Sequence, residues 1–67
     1  MTIDDVQIRL YEIRLYADSG DNDAAHGAED DLYLAVLDAI HNGAQNVAEL
    51  TGEALRSQQI EFTRRCA

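Results

Sequence analysis

Three groups of side chains in this sequence are spaced so that they could do chemistry. His26, Glu29 and Asp30 stand at i, i+3 and i+4. On a helix these positions offer one nitrogen and two carboxylates in the same direction, a partial ligand set for a divalent cation. The set lacks a fourth strong ligand in sequence, and acids in the first turns of a helix are expected from the helix dipole alone. The residues therefore predict a histidine bonded locally to a carboxylate, and no metal site. Asp18, Asp21 and Asp23 around Gly20 resemble a calcium loop, but its D-x-D-x-D-G order and its closing bidentate Glu are absent, which leaves a helix-connecting turn. Cys66 stands beside Arg65, a neighbour that favours the thiolate. No histidine is near it in sequence, and the glycines at 20, 27, 43 and 52 are too dispersed for a phosphate-binding loop. The expectation is a non-enzymatic protein with no catalytic residue and no cofactor.

Recognition is the chemistry the residues favour. If residues 22–42 are a helix, Asp23, Asp30, Asp31 and Asp38 share the side opposite its apolar face, with Leu34 projecting among them. At a spacing of seven or eight residues the carboxylates recur about every 10–12 Å along the axis. Such a row serves as the solvated face of an amphipathic helix. An apolar residue ringed by carboxylates, however, gains nothing from water and makes an anchor for a basic protein partner. Asp23, Asp30, Asp31, Leu34 and Asp38 are accordingly the expected partner-binding residues. The alternative is a DNA mimic, in which the carboxylates stand in for phosphates and occupy a nucleic-acid-binding protein.

Charge supports that direction. Thirteen acids face five arginines and no lysine, for a net charge of −8. Residues 2–14 carry −1 and residues 56–67 carry +2, so the stretch from Leu15 to Leu55, with nine acids and no base, carries −9. Direct nucleic-acid binding is excluded as an expectation, because that affinity comes mainly from Lys and Arg neutralising phosphates.

The elements that must position these groups can be read from caps and periodicity. At 67 residues the chain lies near the lower limit for a core without disulfides or metals, and one domain over 1–67 is expected. Thr2 and Asp5 form a capping-box start, and Ile3, Val6, Leu10, Ile13 and Ala17 follow at helical spacing, predicting a first helix over 2–19. A strand through Val6, Ile8 and Leu10 is the competing reading, but its alternation breaks at Glu12 and Ile13. Asp21 or Asn22 can cap a second helix over 22–42, which Asn42-Gly43 ends. Ala25, Ala28, Leu32, Ala35, Val36 and Ala39 form its apolar face, and Tyr33, Leu37 and Ile40 widen it, which predicts a central helix with more than one neighbour. Asn46 and Glu49 repeat the capping signature ahead of a third helix over 46–57, with Val47, Leu50, Thr51, Ala54 and Leu55 as its apolar set. Gly52 within it points to a close packing contact or to a helix that depends on its neighbours. Ile60 and Phe62 in the tail are to be buried either by an extended piece or by one last helical turn. The prediction is an all-α three-helix bundle with a short C-terminal tail packed across it.

The first helix carries a second apolar stripe, Ile8, Tyr11 and Leu15, on nearly the opposite side from its seam. Either a second copy of the chain covers it, making a homodimer interface, or Ile60 and Phe62 fold back over it.

The segments AAHGAEDDLYLAVLDAIHNGAQ from Ala24, AELTGEAL, and IEFTRRCA at the end resemble a group of small uncharacterised proteins encoded by actinobacterial phages and prophages, of mycobacteriophage type. Similar members share an A-A-H-x-x-E-D-x-L opening, a V-L-x-A-I helix end and an I-[DE]-F-x-R-W-x-A close. This sequence has Arg65 where similar proteins place a tryptophan. The resemblance implies a phage origin and a host-cytoplasm setting, and supplies no mechanism. A single cysteine, no signal-peptide pattern and no apolar stretch near the roughly 20 residues of a membrane span agree with a cytoplasmic expectation.

Overall fold

The computed structural model describes residues 1–64. Helix α1 spans Ile3–Asp18, α2 spans Asn22–His41 and α3 spans Val47–Leu55; a 3-10 turn over Arg56–Gln59 continues directly from α3. Residues 61–64 have no regular structure, and the described residues contain no strand. The tail thus takes both forms that its sequence allowed, a final tight turn and then an irregular piece that Ile60 enters in extended conformation.

Local chemistry accounts for the helix boundaries. The Thr2 hydroxyl accepts from the Asp5 N–H at 3.2 Å, and the Asp5 carboxylate accepts from the Thr2 N–H at 2.8 Å. This reciprocal pair is a capping box. Its bonds from the Thr2 backbone and side chain hold the Asp5 carboxyl below its ordinary range. Asp21 caps α2 by accepting from the Ala24 N–H at 3.1 Å. Both α1 and α2 end in the same way, on a glycine with positive φ, Gly20 at +79° and Gly43 at +94°. Gly20 and Asp21 donate back to the carbonyls of Ala17 and Tyr16, while Gly43 and Ala44 donate to those of Ile40 and Ala39. These are Schellman pairs, which satisfy the last carbonyls of each helix. Asn46 differs from the expectation. It precedes α3 (φ −94°, ψ 46°) without any side-chain capping bond.

The core gathers Val6, Leu10 and Ile13 of α1, Ala25, Leu32 and Val36 of α2, Leu50 and Ala54 of α3, and Ile60 of the tail. Ile3, Ala17, Ala28, Tyr33, Ile40 and Phe62 pack around it. The seam read along α1 is therefore the buried one. The expectation that α2 is central is corrected: α1 packs along both other helices, more extensively against each than α2 and α3 pack against one another. Three residues expected on buried faces also lie outside, Leu37 at 63% exposed, Leu55 at 54% and, to a lesser degree, Val47. The fold measures 35 × 22 × 14 Å. Its thin dimension is the depth of two helix layers, about 9 Å between axes plus a Cα cylinder of radius about 2.3 Å on each side. No helix can be enclosed all round in such a body.

One ion pair fastens the tail. Glu29 sits on the apolar side of α2 and is only 5% exposed. The Arg64 guanidinium grips it with both arms, Nε to one carboxylate oxygen at 2.9 Å and Nη2 to the other at 3.0 Å. The same Nη2 donates to the carbonyls of Ser57 at 2.8 Å and Ile60 at 3.0 Å. Arg64 also lies over the Phe62 ring, 4.0 Å from its centroid, and the buried Ser57 hydroxyl is hydrogen-bonded to that of Tyr33. Burial pushes the Glu29 carboxyl upward, but hydrogen bonds from Arg64 and Ser57 together with the Arg64 charge outweigh it and leave it below its ordinary value of 4.5. A carboxyl depressed on folding contributes stability that is fully present above its unfolded value and is lost as the pH falls through its folded value.

Three outcomes are expected in denaturation experiments. Acidification below about pH 4.5 removes the contribution of Glu29. It also relaxes the self-repulsion of the other acids, so the informative quantity is the stability difference between wild type and Glu29→Gln, which shrinks from pH 7 to pH 3. Arg64→Ala costs about 1–3 kcal/mol, through a buried acceptor left without its donor, toward the lower end because solvent reaches the guanidinium. Gly52 lies in mid-helix, and an added Cβ would meet nothing within 4 Å, so the close contact that its presence suggested does not exist. Gly52→Ala should therefore raise stability by up to about 1 kcal/mol in the same measurement.

Candidate functional site

The partner-binding residues read from the sequence all lie on the outside of α2. Asp23, Asp30, Asp31 and Asp38 are exposed, and Leu34, 66% exposed, stands among them as the most exposed large apolar side chain of the described residues. From Asp23 to Asp38 the row is about 22 Å long, at 1.5 Å per residue. Among the described residues, Asp23, Asp31 and Asp38 form no ion pair with an arginine. Arg56 is held by Glu53 at 2.8 Å and Arg64 by Glu29, so two of the bases are committed elsewhere. Arg9 of α1 lines a depression together with Asp31 without an ion pair to it.

His26 and Asp30 are one turn apart, with Nδ1 3.6 Å from the carboxylate. This is an ion-pair distance when the histidine is protonated. Glu29, the third member of the group that opened the sequence reading, turns away to Arg64. No cluster of three His, Cys, Asp or Glu side chains with metal-site geometry exists among the described residues. Cys66 and Arg65 lie outside the described residues.

Two further surfaces complete the inventory. Ile8, Tyr11 and Leu15 on α1 are each more than half exposed and, with Asp4, Gln7 and Glu12, line a shallow depression of about 530 Å³. Ile60 and Phe62 do not cover them, because both pack into the core cluster instead. The second surface was not legible in the sequence. Leu37 of α2 and Leu55 of α3, both expected to be buried, form the lips of a groove of about 330 Å³ floored by Tyr33, Val36, Thr51 and Ala54. Exposed Gln58 also lines it, while its two hydroxyls are bonded internally. The Tyr33 hydroxyl bonds to Ser57, and the Thr51 hydroxyl donates to the carbonyl of Val47 at 2.8 Å.

No described helix is long and apolar enough to cross a membrane. Comparisons of the chain with family models, with curated proteins and with solved structures found no match, so the surface chemistry is the ground on which a function can be argued.

Proposed function

We propose that this chain is a non-enzymatic binding protein that docks a basic protein partner through the outer face of α2. Asp23, Asp30, Asp31 and Asp38 supply the long-range attraction and Leu34 the apolar anchor. The observation that carries this reading is Leu34, two-thirds exposed in the middle of an unneutralised carboxylate row. Charges of one sign steer encounter and select the sign of the partner, while a desolvated apolar side chain at the centre of a contact supplies the larger share of affinity. The resemblance to small phage proteins supports a setting for this role in the cytoplasm of an infected cell. In its sharper form the partner is a nucleic-acid-binding protein and the Asp row mimics a DNA strand.

Affinity capture from bacterial lysate at low salt is the test, with variants as the control. A specific partner should be retained by wild type, released by raised salt, and lost with Leu34→Asp and with the double change Asp30→Asn, Asp31→Asn. Retention by all three proteins alike would reject this face. Displacement of the captured protein by duplex DNA would identify the mimic.

The uncovered α1 stripe supports a second contact, with another copy of the chain. Burying Ile8, Tyr11 and Leu15 against their symmetry mates contributes about 1.5–3 kcal/mol per large side chain before association costs. Light scattering at micromolar concentration should then report twice the 7.4 kDa protomer mass, and Ile8→Asp or Leu15→Asp should return it to the protomer value with helical content unchanged. A protomer mass for wild type would end the homodimer.

A further inference from the structure

We infer that the groove between α2 and α3 is a seat for an amphipathic helix of the basic partner, an inference that rests on the proposed binding role and gives the partner its shape. Leu37 and Leu55 rise on its two sides, and Tyr33, Val36 and Ala54 form its floor. The hydroxyls within reach of the floor are satisfied internally by Ser57 and the Val47 carbonyl, so an entering apolar side chain strands neither of them, and the one other polar side chain of the lining, Gln58, is exposed to water. A volume of about 330 Å³ falls at the small end of ligand clefts, about 300–1,000 Å³. The groove lies between two helices, where a third helix can lay its ridge of side chains.

Charge decides the occupant. Along α2, Leu37 is followed by exposed Asp38 and stands two turns after Asp30, with Leu34 one turn before it. The groove therefore opens beside the acidic face. Arg56, the base nearest to it in sequence, is tied to Glu53. A second copy of this chain would bring another −8 to that border, whereas a helix with lysines or arginines flanking its apolar stripe would meet opposite charge along the α2 lip and hydrocarbon in the groove. The apolar surface and the acid row thus form one continuous footprint, with Leu34 linking them.

A synthetic amphipathic helix of leucine and lysine, about four turns long, serves as the probe, fluorescein-labelled and read by anisotropy. Its twin with glutamate in place of lysine is the charge control. The lysine peptide should bind and the glutamate peptide should not; equal binding of both would overturn the basic character of the occupant. Leu37→Asp and Leu55→Asp should each weaken the lysine peptide about tenfold or more, a loss of about 1.4 kcal/mol per tenfold. These variants add negative charge, so a merely electrostatic association would tighten in them. Ser19→Asp, with the same charge change at the exposed end of α1, should leave the affinity unaltered. Both groove residues are exposed, and circular dichroism checks that the variants keep their helices. Unchanged affinity in Leu37→Asp and Leu55→Asp would overturn the groove. If Leu34→Asp and the Asp30, Asp31 double variant still lost binding in that case, the acidic-face reading would survive alone. The reverse pattern would keep the groove and remove that reading. A peptide-free mass of twice the protomer that Leu37→Asp abolishes would assign the groove to a second copy, against this inference.

Discussion

A carboxylate on the apolar side of a helix must be paired or protonated, and in a chain this small the way it is paired organises everything around it. Glu29 lies one turn after Ala25 and one turn before Leu32, in the middle of the buried stripe of α2. Its charge is retained because Arg64 reaches it with a two-pronged grip, and the Nη2 of that grip also donates to the carbonyls of Ser57 and Ile60. That geometry fixes the path of the tail. Once Arg64 is anchored, Ile60 is carried into the core and Phe62 is held beneath the guanidinium. The buried Ser57 joins Tyr33 to the same cluster. A planar fork with several donors suits this position in a way that a lysine ammonium would not.

The path of the tail decides which surfaces remain open. The tail closes the bundle on the Glu29 side of α2, and in a body two helices deep nothing is left to cover the outer side of α1 or the seam between α2 and α3. Ile8, Tyr11 and Leu15 on one surface, and Leu34, Leu37 and Leu55 on others, are the consequence. A monomer of this size necessarily shows apolar atoms to water. Their grouping into a stripe and a groove, with the groove's hydroxyls bonded inward, is what gives them the form of contact surfaces.

The electrostatics follow the same division of labour. Arg64 and Arg56 are drawn into pairs with Glu29 and Glu53, so cations neutralise acids at the tail and at the end of α3, while Asp23, Asp31 and Asp38 on α2 have no ion pair with an arginine among the described residues. A field of one sign on one face governs which molecules approach and how quickly. It contributes nothing to holding the fold together, and self-repulsion makes it a modest cost. The Glu29–Arg64 pair and the α2 row are therefore opposite uses of the same residue types: one is buried and satisfied, the other exposed and available.

Much of this was legible in the sequence, because it depends on local rules. Thr2 with Asp5, Asp21, Gly20 and Gly43 specify helix ends through bonds within a few residues, and the Val6, Leu10, Ile13 seam follows from 3.6-residue geometry alone. The exposure of Leu34 and its neighbouring aspartates follows from the same periodicity. The signal for the latch was also present, since an acid among Ala25, Leu32 and Val36 demands a cation. Spacing alone, however, groups Glu29 with His26 and Asp30, and nothing local says which of several arginines comes from 35 residues away. Leu37 and Leu55 mark the boundary in the other direction. Their periodicity places them on apolar faces, but whether an apolar face is covered depends on how far two helices run in contact, and helical angle carries no information about that. Sequence by itself determined the helices, their caps and the acidic face, because hydrogen bonds and side-chain spacing within a turn fix them. Only the tertiary structure decided which helix is central, where the tail is fastened and which leucines are left to water, because those depend on distances between segments that no local interaction sets.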